Sequence, residues 1–213
     1  ERSRAIDGIV AEVENAVSKG FVEITLLGQN VNSYRTPEGN FSELLAKVSD
    51  VKGVKRVRYT SPHPQDMTED VLEVMGDRDN ICNYIHLPLQ SGSDRILSRM
   101  NRTYTQKEFL NLVDRIHKYM PDCALSTDII VGFPGESDSD FQETMSVVNA
   151  VNFNFSFMFK YSSRPGTKAA EYDSQINERV KQHRLEELIS RQREITLDVN
   201  RKMIGKSLQV IVE

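Results

Sequence analysis

The fold is indicated most clearly by residues 125–137, which read Leu-Ser-Thr-Asp-Ile-Ile-Val-Gly-Phe-Pro-Gly-Glu-Ser. A largely apolar run of this length that stops at a glycine is typical of a strand buried in a parallel sheet. The Gly-Phe-Pro-Gly-Glu segment predicts a tight turn, and a helix follows from Ser137 to about Val148. These residues therefore predict a strand, a turn and a helix in direct succession.

Strand-like and helix-like segments alternate in the same way along the rest of the chain. Because successive βα units place their strands side by side in one direction, the pattern predicts a parallel sheet or barrel covered by helices and disfavours a two-layer antiparallel fold. Asn40 with Glu43, and Thr105 with Glu108, predict two helix starts. The predicted strands are 21–27, 54–59, 84–87, 125–131 and 155–160, with a further strand-like start at 208–212, and a polar loop is predicted over 29–39. The predicted helices are 6–19, a helix from 40, 68–75, 94–100, 105–119, 137–148 and a long helix ending near 204.

Composition places the chain among globular proteins, with 38% hydrophobic and 27% charged residues. No apolar run approaches the roughly 20 residues needed to cross a bilayer, so no membrane segment is expected. The net charge of -4 gives no overall footprint for nucleic acid, and any RNA contact would be local. Cys82 and Cys123 are expected to be buried, reduced thiols of a cytosolic protein. The start, without Met, suggests a cut inside a longer protein.

Polar side chains recur where the predicted strands end. Ligands bind at the carboxyl ends of strands in parallel βα folds, because the loops converge there. Each group also has a structural explanation: the amides near Asn30 can satisfy a long loop, His63 and His86 can be ordinary polar residues, and 132–136 can be a turn without a ligand. Arg95 and Arg99 are interpreted as a solvated basic face. The polar residues that end the strands favour a ligand site when taken together; they are Gln29, Asn30, Asn32, Gln90, Ser91, Ser126, Thr127, Asp128 and 161–167.

Several longer strings occur in a fixed order, and they resemble the methylthiotransferase branch of the radical S-adenosylmethionine (SAM) enzymes along essentially the whole chain. The string 28–32 is similar to that of the bacterial enzymes that modify prenylated adenosine in tRNA, whereas the branch acting on ribosomal protein usually differs there. The strings are Leu-Leu-Gly-Gln-Asn-Val-Asn-Ser-Tyr (26–34), Ser-Pro-His-Pro (61–64), His-Leu-Pro-Leu-Gln-Ser-Gly-Ser (86–93), Met-Asn-Arg (100–102), Ser-Thr-Asp-Ile-Ile-Val-Gly-Phe-Pro-Gly-Glu (126–136) and Arg-Pro-Gly-Thr (164–167).

The resemblance implies a fold and a reaction. The fold would be α/β: a partial TIM-like (βα) barrel of parallel strands, lacking its first strand and cluster loop, with a long C-terminal helix. Residues 1–204 would be a radical SAM core fragment, and 205–213 a linker and the start of a truncated TRAM domain, an RNA-binding β-barrel. The reaction would convert a prenylated adenosine beside the tRNA anticodon to its 2-methylthio form, through a 5′-deoxyadenosyl radical made from SAM, with a second SAM as methyl donor.

The resemblance also implies cofactors and partners. The full-length protein would hold two [4Fe-4S] clusters and take electrons from an external donor, whereas this fragment would ligate no cluster and would be inactive alone. Cluster ligation needs a set of cysteine thiolates that two distant cysteines cannot supply. In the family, the Cys-x-x-x-Cys-x-x-Cys loop lies shortly before a segment like the one that begins at Glu1. The expected partners are tRNA and SAM, and the expected location is the cytoplasm.

Site residues follow from the matching strings. No acid-base residue is assigned, because the radical chemistry belongs to the cofactor. Arg102 is expected to counter the SAM carboxylate, and the segment from Ile130 to Gly132 to lie against the adenine. The predicted cofactor-binding residues are Gln29, Asn30, Gln90, Ser91, Arg102, Ser126, Asp128, Ile130 and Gly132, and the predicted substrate-binding residues are Arg164, Gly166 and Thr167.

Two alternatives remain open from the sequence. The same chemistry could act on a threonylcarbamoyl-adenosine tRNA or on a ribosomal-protein aspartate. A barrel without cluster ligands could instead bind only RNA or a partner protein. A Cys triad upstream of Glu1 would separate a radical enzyme from such a binding module.

Overall fold

A computed structural model describes residues 3–60 and 62–211, so the predictions that fall on Ser61 and Val212 lie outside the described residues. The described helices are α1 (Ile6–Ser18), α2 (Phe41–Ser49), α3 (Glu69–Gly76), α4 (Asp94–Arg99), α5 (Gln106–Tyr119), α6 (Asp138–Val151) and α7 (Glu178–Arg201). The described strands are β1 (Glu23–Leu26), β2 (Arg35–Thr36), β3 (Gly39–Asn40), β4 (Arg56–Tyr59), β5 (Tyr84–His86), β6 (Ala124–Val131) and β7 (Phe155–Lys160).

The chain divides into two compact units. The first unit contains the residues up to Leu89 together with Thr103–Ser126. The second unit contains Gln90–Arg102 together with the residues from Thr127 onward. The boundary falls inside β6, so each unit contains part of that strand.

Parallel strand pairs organise the first unit, as the βα alternation predicts. β1 pairs with β4 in parallel from Glu23↔Arg56 to Leu26↔Tyr59. β5 pairs in parallel with the first residues of β6, from Tyr84↔Ala124 to His86↔Ser126. The helices α2, α3 and α5 bury apolar residues at the helical spacing that the sequence shows, and this burial is the main stabilising term of the unit. The buried residues of these helices include Phe41, Leu44, Leu45, Val48, Val71, Leu72, Phe109, Leu112, Val113 and Ile116.

The second unit is built on the rest of β6, with β7 as its hydrogen-bonded neighbour. Helix α7 covers one face of β7: Gln192 donates to the Phe153 carbonyl at 2.7 Å, and Thr196 donates to the Asn154 carbonyl at 3.1 Å. Leu188 and Ile195 of α7 are buried. The long C-terminal helix is therefore an integral layer of this unit.

Two helix starts confirm the capping predictions. The Asn40 side chain accepts from the Glu43 N–H at 3.1 Å, and the Glu43 carboxylate accepts from the Asn40 N–H at 2.8 Å. Thr105 and Glu108 make the same reciprocal pair, at 3.2 and 2.8 Å. Each cap satisfies backbone donors that the helix itself leaves unpaired and is worth about 1 kcal/mol.

Two segments differ from the sequence prediction. The predicted polar loop over 29–39 contains a short 3-10 turn at Val31–Ser33 and a small antiparallel pair, β2 with β3. The strand predicted over 208–212 is not formed in its described part, 208–211, because no neighbouring strand pairs with it there. An extended segment needs such a partner for its backbone hydrogen bonds.

Within residues 3–60 and 62–211, no helix combines the length and the apolar character that crossing a membrane requires.

Candidate functional site

The end of β1 in the first unit presents two of the predicted amides. Gln29 and Asn30 line an open cavity of about 360 Å³, together with Arg4, Gly28 and Tyr34. Their side-chain amides are exposed and make no hydrogen bond with the part of the chain that the structure describes. They are therefore available to a ligand.

The third amide of the same segment has a structural role. Asn32 is buried, donates to the His63 carbonyl at 2.9 Å and accepts from the His63 N–H at 2.8 Å. This reciprocal pair ties the loop after β1 to the loop after β4. The structural explanation is therefore correct for Asn32, whereas Gln29 and Asn30 have no such partner among the described residues.

Ser126 lies in a polar cluster of the first unit. Its hydroxyl is fully buried and lies 2.5 Å from the Tyr84 hydroxyl and 2.8 Å from Nδ1 of His86. The parallel register explains the contact, because His86 is paired with Ser126 on the neighbouring strand. Burial of this hydroxyl is therefore compensated by protein partners, and the hydroxyl retains at most one further hydrogen-bonding position.

Gln90, in the second unit, has an unusual backbone conformation. Its φ of 64° lies in the left-handed region, which costs a residue with a side chain about 1–2 kcal/mol. The Gln90 N–H donates to the Asp128 carbonyl at 2.7 Å, and its carbonyl accepts from the Ile130 N–H at 2.9 Å. These bonds hold three of the predicted cofactor residues side by side. The Gln90 side-chain amide makes no hydrogen bond within the described residues. Strain at such a position is typical of functional sites.

The next residues, Ser91 and Gly92, pack against α6. The Ser91 hydroxyl is fully buried and lies 3.4 Å from that of Thr144, which also accepts from the Gly92 N–H at 2.9 Å. A Cβ at Gly92 would lie 2.5 Å from the Thr144 Cα, so only glycine fits. The structure thus places Ser91 in the support behind Gln90.

The turn after β6 is fixed by a buried ion pair. Gly132, with φ of 71°, donates to the Glu136 carboxylate at 2.8 Å. The Arg184 guanidinium bonds the same carboxylate oxygen at 2.7 Å, and the two side chains are only 6% and 1% exposed. A Cβ at Gly132 would lie 2.4 Å from Cγ of Lys181. Burial raises the pKa of Glu136, against the opposing effects of the Gly132 N–H and Arg184.

Two arginines of α4 hold the same turn from the other side. Arg95 donates to the Gly135 carbonyl at 2.7 Å, and Arg99 donates to the Pro134 carbonyl at 3.0 Å. Arg95 also forms an ion pair with the buried Asp140 carboxylate. Burial alone would raise the pKa of Asp140, but hydrogen bonds from Arg95 and from neighbouring serines hold it well below its usual range. Arg95 is 53% exposed, as a solvated face predicts, but both arginines also hold the turn, a role that this interpretation did not include.

Arg102 and Arg164 are the free cations among the predicted site residues. Both are exposed, and neither guanidinium has a partner in the described ranges. Arg102 follows Asn101, whose left-handed backbone stands two residues after α4, and the Arg102 N–H donates to the Leu97 carbonyl at 2.9 Å. Arg164 begins a turn with Pro165, and Gly166 at φ 80° takes the position that requires a left-handed residue. Thr167 closes this turn with a 2.8 Å bond to the Arg164 carbonyl.

The two cysteines are free thiols. Burial raises the pKa of Cys123 to about 12 and also raises that of Cys82. Thiolates are the metal-binding form, so neither environment suits a cluster ligand. Among the described residues, no three His, Cys, Asp or Glu side chains are grouped as metal ligands.

The chain belongs to the radical SAM superfamily, whose profile matches residues 1–148. Curated relatives named tRNA-2-methylthio-N(6)-dimethylallyladenosine synthase match it over its entire length. The protein of Frankia casuarinae is 48% identical and that of Clostridium botulinum 47% identical, each over 100% of this chain. The chain spans 40% and 48% of the length of these two relatives.

Solved structures support the fold. The radical SAM methyltransferase TsrM from Kitasatospora setae, with cobalamin and a [4Fe-4S] cluster bound, matches with a TM-score of 0.58 at 14% identity, covering 74% of this chain and 29% of that one. The cobalamin-dependent radical enzyme OxsB matches with a TM-score of 0.56 at 11% identity, covering 84% and 26%. At these identities the likeness concerns the fold alone, and it confirms the predicted α/β fold with parallel strands and a long C-terminal helix.

Proposed function

We propose that this chain is the core of a tRNA methylthiotransferase, which adds a 2-methylthio group to N(6)-dimethylallyladenosine next to the anticodon. The observation that carries the proposal is 45–48% identity along the entire chain to relatives named for that activity. The same names favour prenylated adenosine over threonylcarbamoyl-adenosine tRNA or a ribosomal-protein aspartate as substrate. The full-length protein would act in the cytoplasm on tRNA, with an external electron donor.

The fit of the chain to SAM rests on polar groups that lack protein partners. SAM, cleaved at an iron-sulfur cluster, supplies the radical chemistry. In the first unit, the exposed amides of Gln29 and Asn30 can accept from an ammonium group and donate to a carboxylate. In the second unit, the strained Gln90 offers a further amide, and the exposed Arg102 offers a guanidinium suited to a carboxylate. We assign these residues to SAM binding.

The remaining predicted residues differ in what they can contribute. Asp128 and Ile130 are on the same face of β6, because alternate residues of a strand point to the same side. The side of Gly132 on which a Cβ would stand is filled by Lys181, so an adenine could approach its backbone only from another side. Ser91 and Ser126 are engaged with protein partners, so we assign them to positioning rather than to direct contact. Arg164, Gly166 and Thr167 form an exposed turn, and a guanidinium there suits an RNA phosphate.

The two [4Fe-4S] clusters do not fit the described residues. Cys82 and Cys123 are held as neutral thiols by burial, and no third ligand accompanies them in the part of the chain that the structure describes. We therefore propose that segments of the full-length protein outside this chain hold the clusters. The residues described here would bind, orient and shield SAM and the substrate base.

The test is anaerobic iron-sulfur reconstitution of the full-length protein with SAM and prenylated tRNA. Formation of both 5′-deoxyadenosine and 2-methylthio-modified adenosine is the expected result. Formation of 5′-deoxyadenosine without modified tRNA would move the substrate elsewhere. Failure to assemble any cluster would contradict the enzyme assignment and favour a module that only binds RNA or protein.

A further inference from the structure

Strand β7 exposes three phenylalanines on one face. Phe155, Phe157 and Phe159 are 50%, 47% and 53% exposed. The alternate positions face α7: Ser156 is buried, and Lys160 forms an ion pair with Glu178 of that helix. A strand with one covered face normally buries its aromatic residues there, and here the order is reversed. The face of β7 that carries these rings is named the open face below.

The position of the open face relative to β6 follows from one hydrogen bond. The N–H of Tyr161, just after β7, donates to the carbonyl of Val131, the last residue of β6, at 2.8 Å. Because the two neighbouring strands are bonded where both end, they run in the same direction. Counting back along a parallel ladder places Phe159 beside Ile130 and Phe157 beside Asp128. The open face therefore continues directly from two predicted cofactor residues of the same unit.

The chemistry of the open face suits a base rather than an RNA backbone. Aromatic side chains bind unstacked bases through their ring faces. The rings of Phe155 and Phe157 already meet edge to face, with centroids 4.8 Å apart. The carboxyl group of Asp128 disfavours a phosphate at the same place. A flat base that carries an apolar branched substituent matches this combination of rings and aliphatic contact.

We propose that Phe159, at the carboxyl end of the open face of β7, binds the dimethylallyl-substituted adenine of the tRNA substrate. The inference rests on the proposed function and names the residues that would select its prenylated base. Phe159 is chosen because it is next to the carboxyl end of β7, where ligands of parallel folds bind. Phe155 begins the strand, four residues and roughly 13 Å away.

The experiment uses the full-length protein and two matched variants, Phe159→Ala and Phe155→Ala. The two residues share a strand, a face and nearly equal exposure, so their substitution should cost similar stability. They differ in distance from the carboxyl end. The affinity of each protein is measured for an anticodon stem-loop with dimethylallyladenosine, for the same stem-loop with unmodified adenosine, and for SAM.

We expect Phe159→Ala to weaken binding of the prenylated stem-loop about tenfold, the loss of one stacked base. Binding of SAM should stay unchanged, and so should every affinity of Phe155→Ala. Phe159→Leu, which keeps an apolar side chain without the ring, should also lose affinity. This second variant keeps the test valid if Phe159→Ala folds poorly.

Several results would overturn the inference. Equal losses in the two alanine variants would mean that position along the strand is irrelevant. A loss of SAM affinity in Phe159→Ala would assign the face to the cofactor, and wild-type affinity of Phe159→Leu would exclude stacking. If the wild type makes 2-methylthio product while Phe159→Ala and Phe155→Ala bind the prenylated stem-loop with equal affinity, only this inference fails. If the wild type makes no such product, the proposed function fails and the inference falls with it.

Discussion

Removing the Arg184 guanidinium should destabilise the protein in a pH-dependent manner. Arg184 bonds the Glu136 carboxylate at 2.7 Å, the Glu136 carbonyl at 3.2 Å and the Asp138 carboxylate at 2.7 Å. Glu136 is 1% exposed, so water cannot replace the lost partner. In Arg184→Met the carboxylate would keep the Gly132 N–H as its one remaining donor among the contacts found in the described chain.

The magnitude follows from the cost of a buried, uncompensated charge. Breaking a buried pair by removing one partner costs about 3–5 kcal/mol. Burial already raises the pKa of Glu136 above its ordinary value of 4.5, and loss of the opposite charge raises it further. Because folding raises the pKa of the Glu136 carboxyl, its contribution to stability is full below its pKa in the unfolded chain. This contribution is lost as the pH rises through its pKa in the folded protein. The loss is at most about 1.4 kcal/mol per pH unit, because one proton is involved.

The assay is urea unfolding followed by far-ultraviolet circular dichroism at about pH 5 and about pH 8. Arg184→Met should be much less stable than the wild type at the higher pH and closer to it at the lower pH. Arg184→Met combined with Glu136→Gln removes the charge and should recover part of the loss at the higher pH. Destabilisation of Arg184→Met by the same amount at both pH values would refute the reasoning.

Three further predictions concern the support of the site. Gly92→Ala should lower the free energy of unfolding by about 1–3 kcal/mol, because the new Cβ meets the Thr144 backbone. Gly8→Ala in α1, where a Cβ would have no described atom within 4 Å, should instead raise it by about 0.4–1 kcal/mol. Unfolding midpoints compare the two variants. Asp140→Asn should lower the free energy of unfolding by about 1.5–3 kcal/mol at neutral pH. The difference should begin to shrink below about pH 3.8 and be lost only as the pH falls through the depressed folded pKa of Asp140, which acid titration of stability measures. Gln90→Gly should leave stability nearly unchanged, since glycine tolerates φ of 64°. It should weaken SAM binding to the full-length protein about tenfold, as measured by calorimetry. Unchanged binding would remove Gln90 from the site.

Local patterns in the sequence were sufficient to predict most of the fold. Periodicity and caps depend on residues a few positions apart, so Asn40 with Glu43 and Thr105 with Glu108 identify their helices without knowledge of the rest. The parallel arrangement follows from the βα alternation. The hairpin of β2 and β3 was missed because it is only two residues long on each side.

Side-chain roles at the site could not be predicted in the same way. Asn30 and Asn32 belong to the same polar segment, and no local pattern distinguishes their side chains. Asn32 is bonded to His63 in a distant loop, whereas Asn30 is not. Arg95 and Arg99 have the spacing of an exposed helical face, and their contacts with 134–135 depend on tertiary structure. Long-range partners decide these cases, and a single sequence contains no direct signal for them.

The orientation of β7 shows what period-two patterning leaves undetermined. The order Phe-Ser-Phe-Met-Phe-Lys defines two faces but not which of them is covered, and the hydrophobic rule alone would bury the phenylalanines. The buried side of α7 is mixed, with Lys181, Arg184 and Gln192 beside the apolar Leu188 and Ile195, and the side of β7 that it covers carries the buried Ser156. Lys181 bonds the carbonyl of Tyr161 at 3.2 Å, and Gln192 bonds that of Phe153 at 2.7 Å, immediately after and shortly before the strand. The contacts of α7 are thus made with residues on either side of β7, so the sequence of the strand alone does not determine which of its faces the helix covers.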